Sequence, residues 1–133
     1  MPQNHHAFVL WFSEIGIQDV PVVGGKNASL GEMYRKLGEK GIKVPNGFAI
    51  TAYAYHYLLK KAGIKSEIKK ILTGLDTHDV KDLMIRGKKV RETILSAEFP
   101  EELNKAIIKN YQKFEKKYGK NVDVAVRSSA TAE

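Results

Sequence analysis

Apolar residues change their spacing along this chain, and each spacing predicts an element. Phe8-Val9-Leu10-Trp11-Phe12 is an unbroken apolar, aromatic run and reads as a buried strand. Gln18 to Gly25 reads as a loop, interrupted by Pro21 and closed by Gly24-Gly25. From Asn27 to Lys40, Leu30, Met33, Tyr34 and Leu37 fall on one helical face, and Gly41 stops the helix. Val44-Pro45-Asn46-Gly47 has turn chemistry and leads into a short strand, Phe48-Ala49-Ile50. Thr51 is placed to cap a helix through Ala52 to Lys61, ended by Gly63, and Ser66 to cap another that runs through Leu72.

Asp79 to Ala97 reads as helical with Val80, Leu83, Val90 and Ile94 inward, although Gly87 weakens the pattern. Pro100-Glu101-Glu102 opens a long helix: proline suits the first turn, and the acids favour the positive end of the dipole. Its apolar stripe is Leu103, Ile107, Tyr111, Phe114 and Tyr118, broken at Gly119-Lys120-Asn121. Val122 to Arg127 alternates and is β-branched, which predicts a last strand. A few strands among many helices make the fold class α+β, a small sheet with several packed helices. The last strand ends just before Glu133, and Arg127 to Glu133 reads as the entry to a further element. The expectation is a C-terminus that is a cut, so that residues 1–133 are a partial domain.

Composition narrows the function classes. Hydrophobic residues are 43% of 133, enough for a core, and no apolar run approaches the ~18 residues of a membrane span. The opening Met1 to His6 has neither a basic nor a long apolar region, so no secretory leader is expected. Cysteine is absent, which excludes disulfides, thiolate metal sites and cysteine nucleophiles. A cytoplasmic protein without a membrane partner is the simplest reading. The net charge of +7 attracts anions, but many lysines alternate with apolar residues at helical spacing, as from Ile64 to Leu72 and from Leu103 to Tyr118. These are solvated helix faces, and with no aromatic-basic interleaving no nucleic-acid partner is expected.

Two places could carry chemistry. Gly24-Gly25-Lys26 stands where a helix begins: glycines let the backbone approach a ligand, helix amides attract phosphate, and a lysine adds a mobile cation. A plain glycine turn before a surface lysine explains the same tripeptide, and the spacing is neither a P-loop nor a dinucleotide fingerprint. Arg127-Ser128-Ser129, at the end of the last strand, offers a planar fork and hydroxyl donors for phosphate, or else a structural arginine and a serine-capped turn. His5, His6, His56 and His78 form no ligand pattern, and Glu14, Asp19, Glu32 and Glu39 no evident metal pair. His56 sits in a cluster with Tyr53, Tyr55 and Tyr57 that reads as packing. Arg86 is spaced to pair with Asp82.

Val23-Gly24-Gly25-Lys26-Asn27-Ala28-Ser29-Leu30-Gly31-Glu32-Met33 resembles the opening motif of the phosphoenolpyruvate synthase family. Val44-Pro45-Asn46-Gly47-Phe48-Ala49-Ile50-Thr51 is similar to its second, with Asn46 where a second proline is common, and Val124 to Glu133 to its third. The motifs are correctly ordered and span nearly the whole chain. The family includes pyruvate, phosphate dikinase and rifampicin-type phosphotransferases. Asn27-Ala28-Ser29 and Ser128-Ser129 are more like the synthase, since the dikinase tends to carry glycine after the lysine and Ser-Gly after the arginine.

The resemblance implies the N-terminal subdomain of an ATP-grasp fold. In such enzymes ATP phosphorylates a histidine on a separate swivelling domain; in the synthase the group passes to pyruvate, and AMP and phosphate leave. Lys26 and Arg127 match positions that contact ATP phosphates, with Gly24, Gly25, Ser128 and Ser129 in support. The magnesium-binding acids, much of the adenine pocket, the phosphohistidine and the pyruvate-binding barrel lie beyond the third motif. The implied partners are a nucleotide and the remaining domains of the enzyme. The chain alone is then expected not to turn over and to bind ATP weakly, with no catalytic residue and no metal ligand of its own. The alternatives are a stand-alone, non-catalytic binding or regulatory module, or a fragment of a related phosphotransferase such as the rifampicin type or pyruvate, phosphate dikinase.

Overall fold

Two three-residue strands are too short to stand alone in water, so their faces must be covered by other elements. In the computed structural model, which describes residues 6–132, strand β1 (Val9–Trp11) pairs antiparallel with β2 (Phe48–Ile50) in the register Val9↔Ile50, Leu10↔Ala49, Trp11↔Phe48. Residues opposite one another share a face. Leu10 and Ala49 face the core of Ile15, Val23 and Ala28. Trp11 and Phe48 face the other way, with ring centroids 5.4 Å apart. Met1 to His5, including one of the four histidines, and Glu133, the end of the third motif, lie outside the described residues.

The chain forms two units, one made of the residues up to Tyr55 with those from Glu101 onward, the other of His56–Pro100. In the first, Phe12 leaves the strand into a 3-10 turn over Phe12–Glu14, followed by another over Ile17–Asp19. The buried Asp19 carboxylate accepts the Gly16 N–H at 2.8 Å. The segment expected to be a loop is instead helical: α1 spans Val20–Val23, with Pro21 in its first turn, where its missing N–H costs nothing.

Helix α2 runs over Gly25–Glu39, starting two residues before the periodicity places it. Its buried face is also not the expected one. Ala28 and Gly31 are buried, Leu30, Tyr34 and Leu37 half-buried, and Met33 is exposed. Small residues win because the chain passes so close: a Cβ at Gly31 would stand 2.5 Å from both Cγ1 and the carbonyl oxygen of Ile15.

The Val44 to Thr51 motif is structural. The Phe12 N–H donates to the Gly47 carbonyl at 2.9 Å, the Asn46 N–H to the Tyr118 hydroxyl at 2.7 Å, and the Asn46 side-chain oxygen accepts the Ser13 N–H at 3.3 Å. Helix α6 (Glu101–Tyr118) brings Phe114 to 6.4 Å from the Trp11 ring and Asn110 to accept the indole N–H at 2.8 Å, so it covers the second face of the ribbon. Its expected stripe is largely the packed side, with Leu103 fully buried and Tyr111 partly open.

Thr51 caps helix α3 (Ala52–Lys61) as its position predicts. Its buried hydroxyl accepts the Ala54 N–H at 3.1 Å and donates to the Ala7 carbonyl at 2.6 Å. Tyr53 packs against Phe8 and His6, while His56, expected to pack, is exposed.

In the second unit, α4 (Lys65–Leu72) has Ile64 at its N-cap position, so Ser66 lies inside the helix and does not cap it. Asp79 caps α5 (Val80–Leu95) by accepting the Asp82 N–H at 3.1 Å. Val90 and Ile94 are half-buried as expected, but Val80 and Leu83 are exposed. Arg86 meets Asp82 at 2.9 Å and also donates to the carbonyls of Ile71 and Thr73, tying α5 to the end of α4.

The last predicted strand is not formed. Residues 122–130 have no regular structure; Val126 is 92% exposed and Val124 45%. The alternating β-branched pattern favours extended backbone, but a strand needs a ladder partner, and none pairs with it among the described residues. No helix of the described residues is long and apolar enough to cross a membrane.

Candidate functional site

The first and third motifs, a hundred residues apart, meet. Gly24 links α1 to α2 with φ +82° and ψ 162°, a conformation open essentially to glycine alone. It is buried against the third motif: a Cβ on Gly24 would stand 2.2 Å from Ser129 Oγ and 3.0 Å from both the amide nitrogen and the carbonyl oxygen of Ala130. Around it, the Gly25 N–H donates to the Ala130 carbonyl at 3.1 Å and the Asn27 N–H to Ser129 Oγ at 3.4 Å. The Asn27 side chain turns back to donate to the Val23 carbonyl at 2.9 Å, fixing the loop from its other side.

The two motifs that the sequence singles out therefore meet in the fold, but two details of their contact have no counterpart in the sequence reading. Ala130, whose carbonyl and amide face Gly24, was not singled out, because its side chain offers no chemistry. Asn27 carried a signal that could have been read: an asparagine in the first turn of a helix commonly bonds nearby backbone.

Lys26 and Arg127 flank this junction and both side chains are exposed. Lys26 lies between the two α2 residues that bond to the third motif, and Arg127 two residues before Ser129. Among the described residues neither takes part in an ion pair. Ser128 is exposed and Ser129 half-buried, so of the two serines it is Ser129 that the fold uses. Two exposed cations beside a glycine turn form an anion-attracting edge. Further along α2, Glu32 is held by two cations, Arg35 at 2.7 Å and Lys36 at 3.0 Å, and accepts the Ile17 N–H at 3.2 Å. The bond from Lys36, followed by that from Ile17, holds its carboxyl below the usual carboxylate range.

A groove of about 660 Å³ lies elsewhere in the same unit, lined by Tyr34, Arg35, Ile42, Lys43, Lys117 and Tyr118 among others. None of Gly24, Gly25, Lys26, Arg127, Ser128 or Ser129 lines it. Among the described residues no group of three His, Asp or Glu side chains could hold a metal ion.

Residues 20–133, which contain all of this junction, match the family described as pyruvate phosphate dikinase, AMP/ATP-binding domain. The chain belongs to that family. As a member of the AMP/ATP-binding domain family, it is also similar to several phosphoenolpyruvate synthases. It is 53% identical over 128 residues to that of Aquifex aeolicus, covering 96% of this chain and 15% of the relative. It is 48% identical over 132 residues to that of Synechocystis, covering 96% and 16%, and 44% identical over 125 residues to that of Escherichia coli, covering 94% and 16%. The chain thus spans about a sixth of the length of these relatives. The family resemblance drawn from the three motifs is borne out, and so is the α+β class. Nucleotide binding is the property that the family's description carries.

Proposed function

We propose that this chain is the N-terminal ATP-binding portion of a phosphoenolpyruvate synthase-like enzyme, the first part of an ATP-grasp module, inactive without the domains that follow in its relatives. In this reading the whole enzyme converts ATP, pyruvate and water to phosphoenolpyruvate, AMP and phosphate through a phosphohistidine carried on another domain. Lys26 and Arg127 contact the ATP phosphates. The observation that supports this best is the junction itself: the glycine turn before Lys26 is closed on the segment that carries Arg127.

The chemistry follows from charge. Phosphoryl transfer needs little covalent help from the protein; it needs positioned cations where negative charge is spread over the transferring group. A lysine supplies a mobile point charge and an arginine a planar two-pronged donor, so the pair can hold oxygens of different phosphates. Among the described residues no carboxylate cluster fits a magnesium site, so no metal step is assigned to them.

The test is phosphoenolpyruvate formation from ATP and pyruvate by the full-length protein carrying Lys26→Ala or Arg127→Ala. Hydrogen bonds to charged groups contribute about 1.5–3 kcal/mol each, so each variant should lose roughly 10- to 100-fold in kcat/KM for ATP. Unchanged ATP affinity and rate in both variants would remove these residues from the site.

A further inference from the structure

An α-helix leaves its first N–H groups without partners inside the helix, and an N-cap side chain one residue before the helix ordinarily takes one of them. Helix α2 has glycine at that position and makes no side-chain cap of its own. The oxygen that a capping serine would supply comes instead from Ser129, which accepts the N–H of Asn27, the third helical residue, at 3.4 Å across 102 positions of sequence. The Ala130 carbonyl takes the N–H of Gly25, the first helical residue, at 3.1 Å. Gly24 is what lets them in, since any side chain there would occupy the place of the Ser129 hydroxyl.

We infer that Ser129 is a positioning residue: it caps α2 from the far end of the chain, and this cap holds Lys26 and the Arg127 segment in one arrangement. The inference rests on the ATP-phosphate reading of those two residues and adds to it. The α2 amides at Gly25 and Asn27 are already bonded within the chain and are not the phosphate donors. The phosphates are held by side chains that the cap fixes, so Ser129 acts on ATP without touching it.

The experiment uses the full-length protein with Ser129→Ala, Ser129→Thr and Lys26→Ala. Hydrogen–deuterium exchange over peptides spanning residues 20–30 is read beside KM for ATP and kcat. An N-cap of ordinary strength changes a local opening equilibrium by about fivefold, so Ser129→Ala should speed exchange at the start of α2 by about that factor and raise KM for ATP severalfold. Ser129→Thr, which keeps the hydroxyl, should restore both. Lys26→Ala should raise KM and leave exchange as it was.

Unchanged exchange in Ser129→Ala overturns the cap. Faster exchange with wild-type KM, while Lys26→Ala raises KM, overturns the positioning role and leaves the ATP reading standing. If neither variant alters KM for ATP, the ATP reading falls and the positioning role with it.

Discussion

Gly24→Ala is the sharpest structural perturbation available. Two costs add at this position. The backbone, at φ +82° and ψ 162°, is one that a residue with a Cβ occupies only at about 1–3 kcal/mol. The new methyl would stand 2.2 Å from Ser129 Oγ, and the hydroxyl cannot turn away without releasing the Asn27 N–H, a cap of about 1 kcal/mol. Ala130 offers no relief, because backbone atoms at 3.0 Å lie behind the serine. The sum is roughly 2–4 kcal/mol. Trp11, the single tryptophan, lies in the same unit and is packed on Phe48 and Phe114, so its fluorescence follows the unfolding of that unit. With a urea slope of about 2 kcal/mol/M, the midpoint should fall by roughly 1–2 M. Gly38→Ala is the control: no atom lies within 4 Å of its added Cβ, and it should gain about 0.5–1 kcal/mol from helix propensity. A Gly24→Ala protein with a midpoint equal to the wild type would refute the close junction of the two motifs.

Thr51→Val should cost about 2–3 kcal/mol in the same assay, because it leaves the buried Ala54 N–H and Ala7 carbonyl without their shared hydroxyl, while Thr51→Ser should cost much less. Glu32→Gln should remove part of the acid sensitivity. The Glu32 carboxyl is held below its ordinary 4.5 first by the Lys36 bond and then by the Ile17 N–H, so its stabilisation is full above that value and is lost as pH falls through the depressed one. Urea midpoints at neutral pH and near pH 3 should therefore lie closer together in the variant than in the wild type. Asp79→Ala should destabilise the His56–Pro100 unit by about 1 kcal/mol through loss of the α5 cap, seen as faster hydrogen exchange at Asp82.

Periodicity indicates α2, α5 and α6, where four or five apolar positions per element outweigh any local ambiguity, while the Thr51 cap and Gly63 stop indicate α3. It failed where tertiary contact replaced the apolar stripe. On α2 the deciding residues are Ala28 and Gly31, whose value is their small size, and a hydrophobic pattern does not register smallness. Val20–Val23 looked like a loop because Pro21 breaks an interior helix, yet it sits in a first turn. Residues 122–127 carry the pattern of a strand, but nothing pairs with them among the described residues, and pairing is not local information. For the site, each motif alone was ambiguous, and their order along the chain pointed to the family. What the sequence left unread was the contact between them: the Ala130 backbone has no side-chain signature, and a serine capping a helix 102 positions away follows no local rule.

The central claim is that ATP phosphates bind where the Lys26 loop meets the Arg127 segment. A titration with ATP followed amide by amide tests it most directly. The shifts should centre on residues 24–28 and 127–130 and disappear in Lys26→Ala and Arg127→Ala. Shifts confined to the groove of Tyr34, Lys43, Lys117 and Tyr118, and unchanged in both variants, would contradict it.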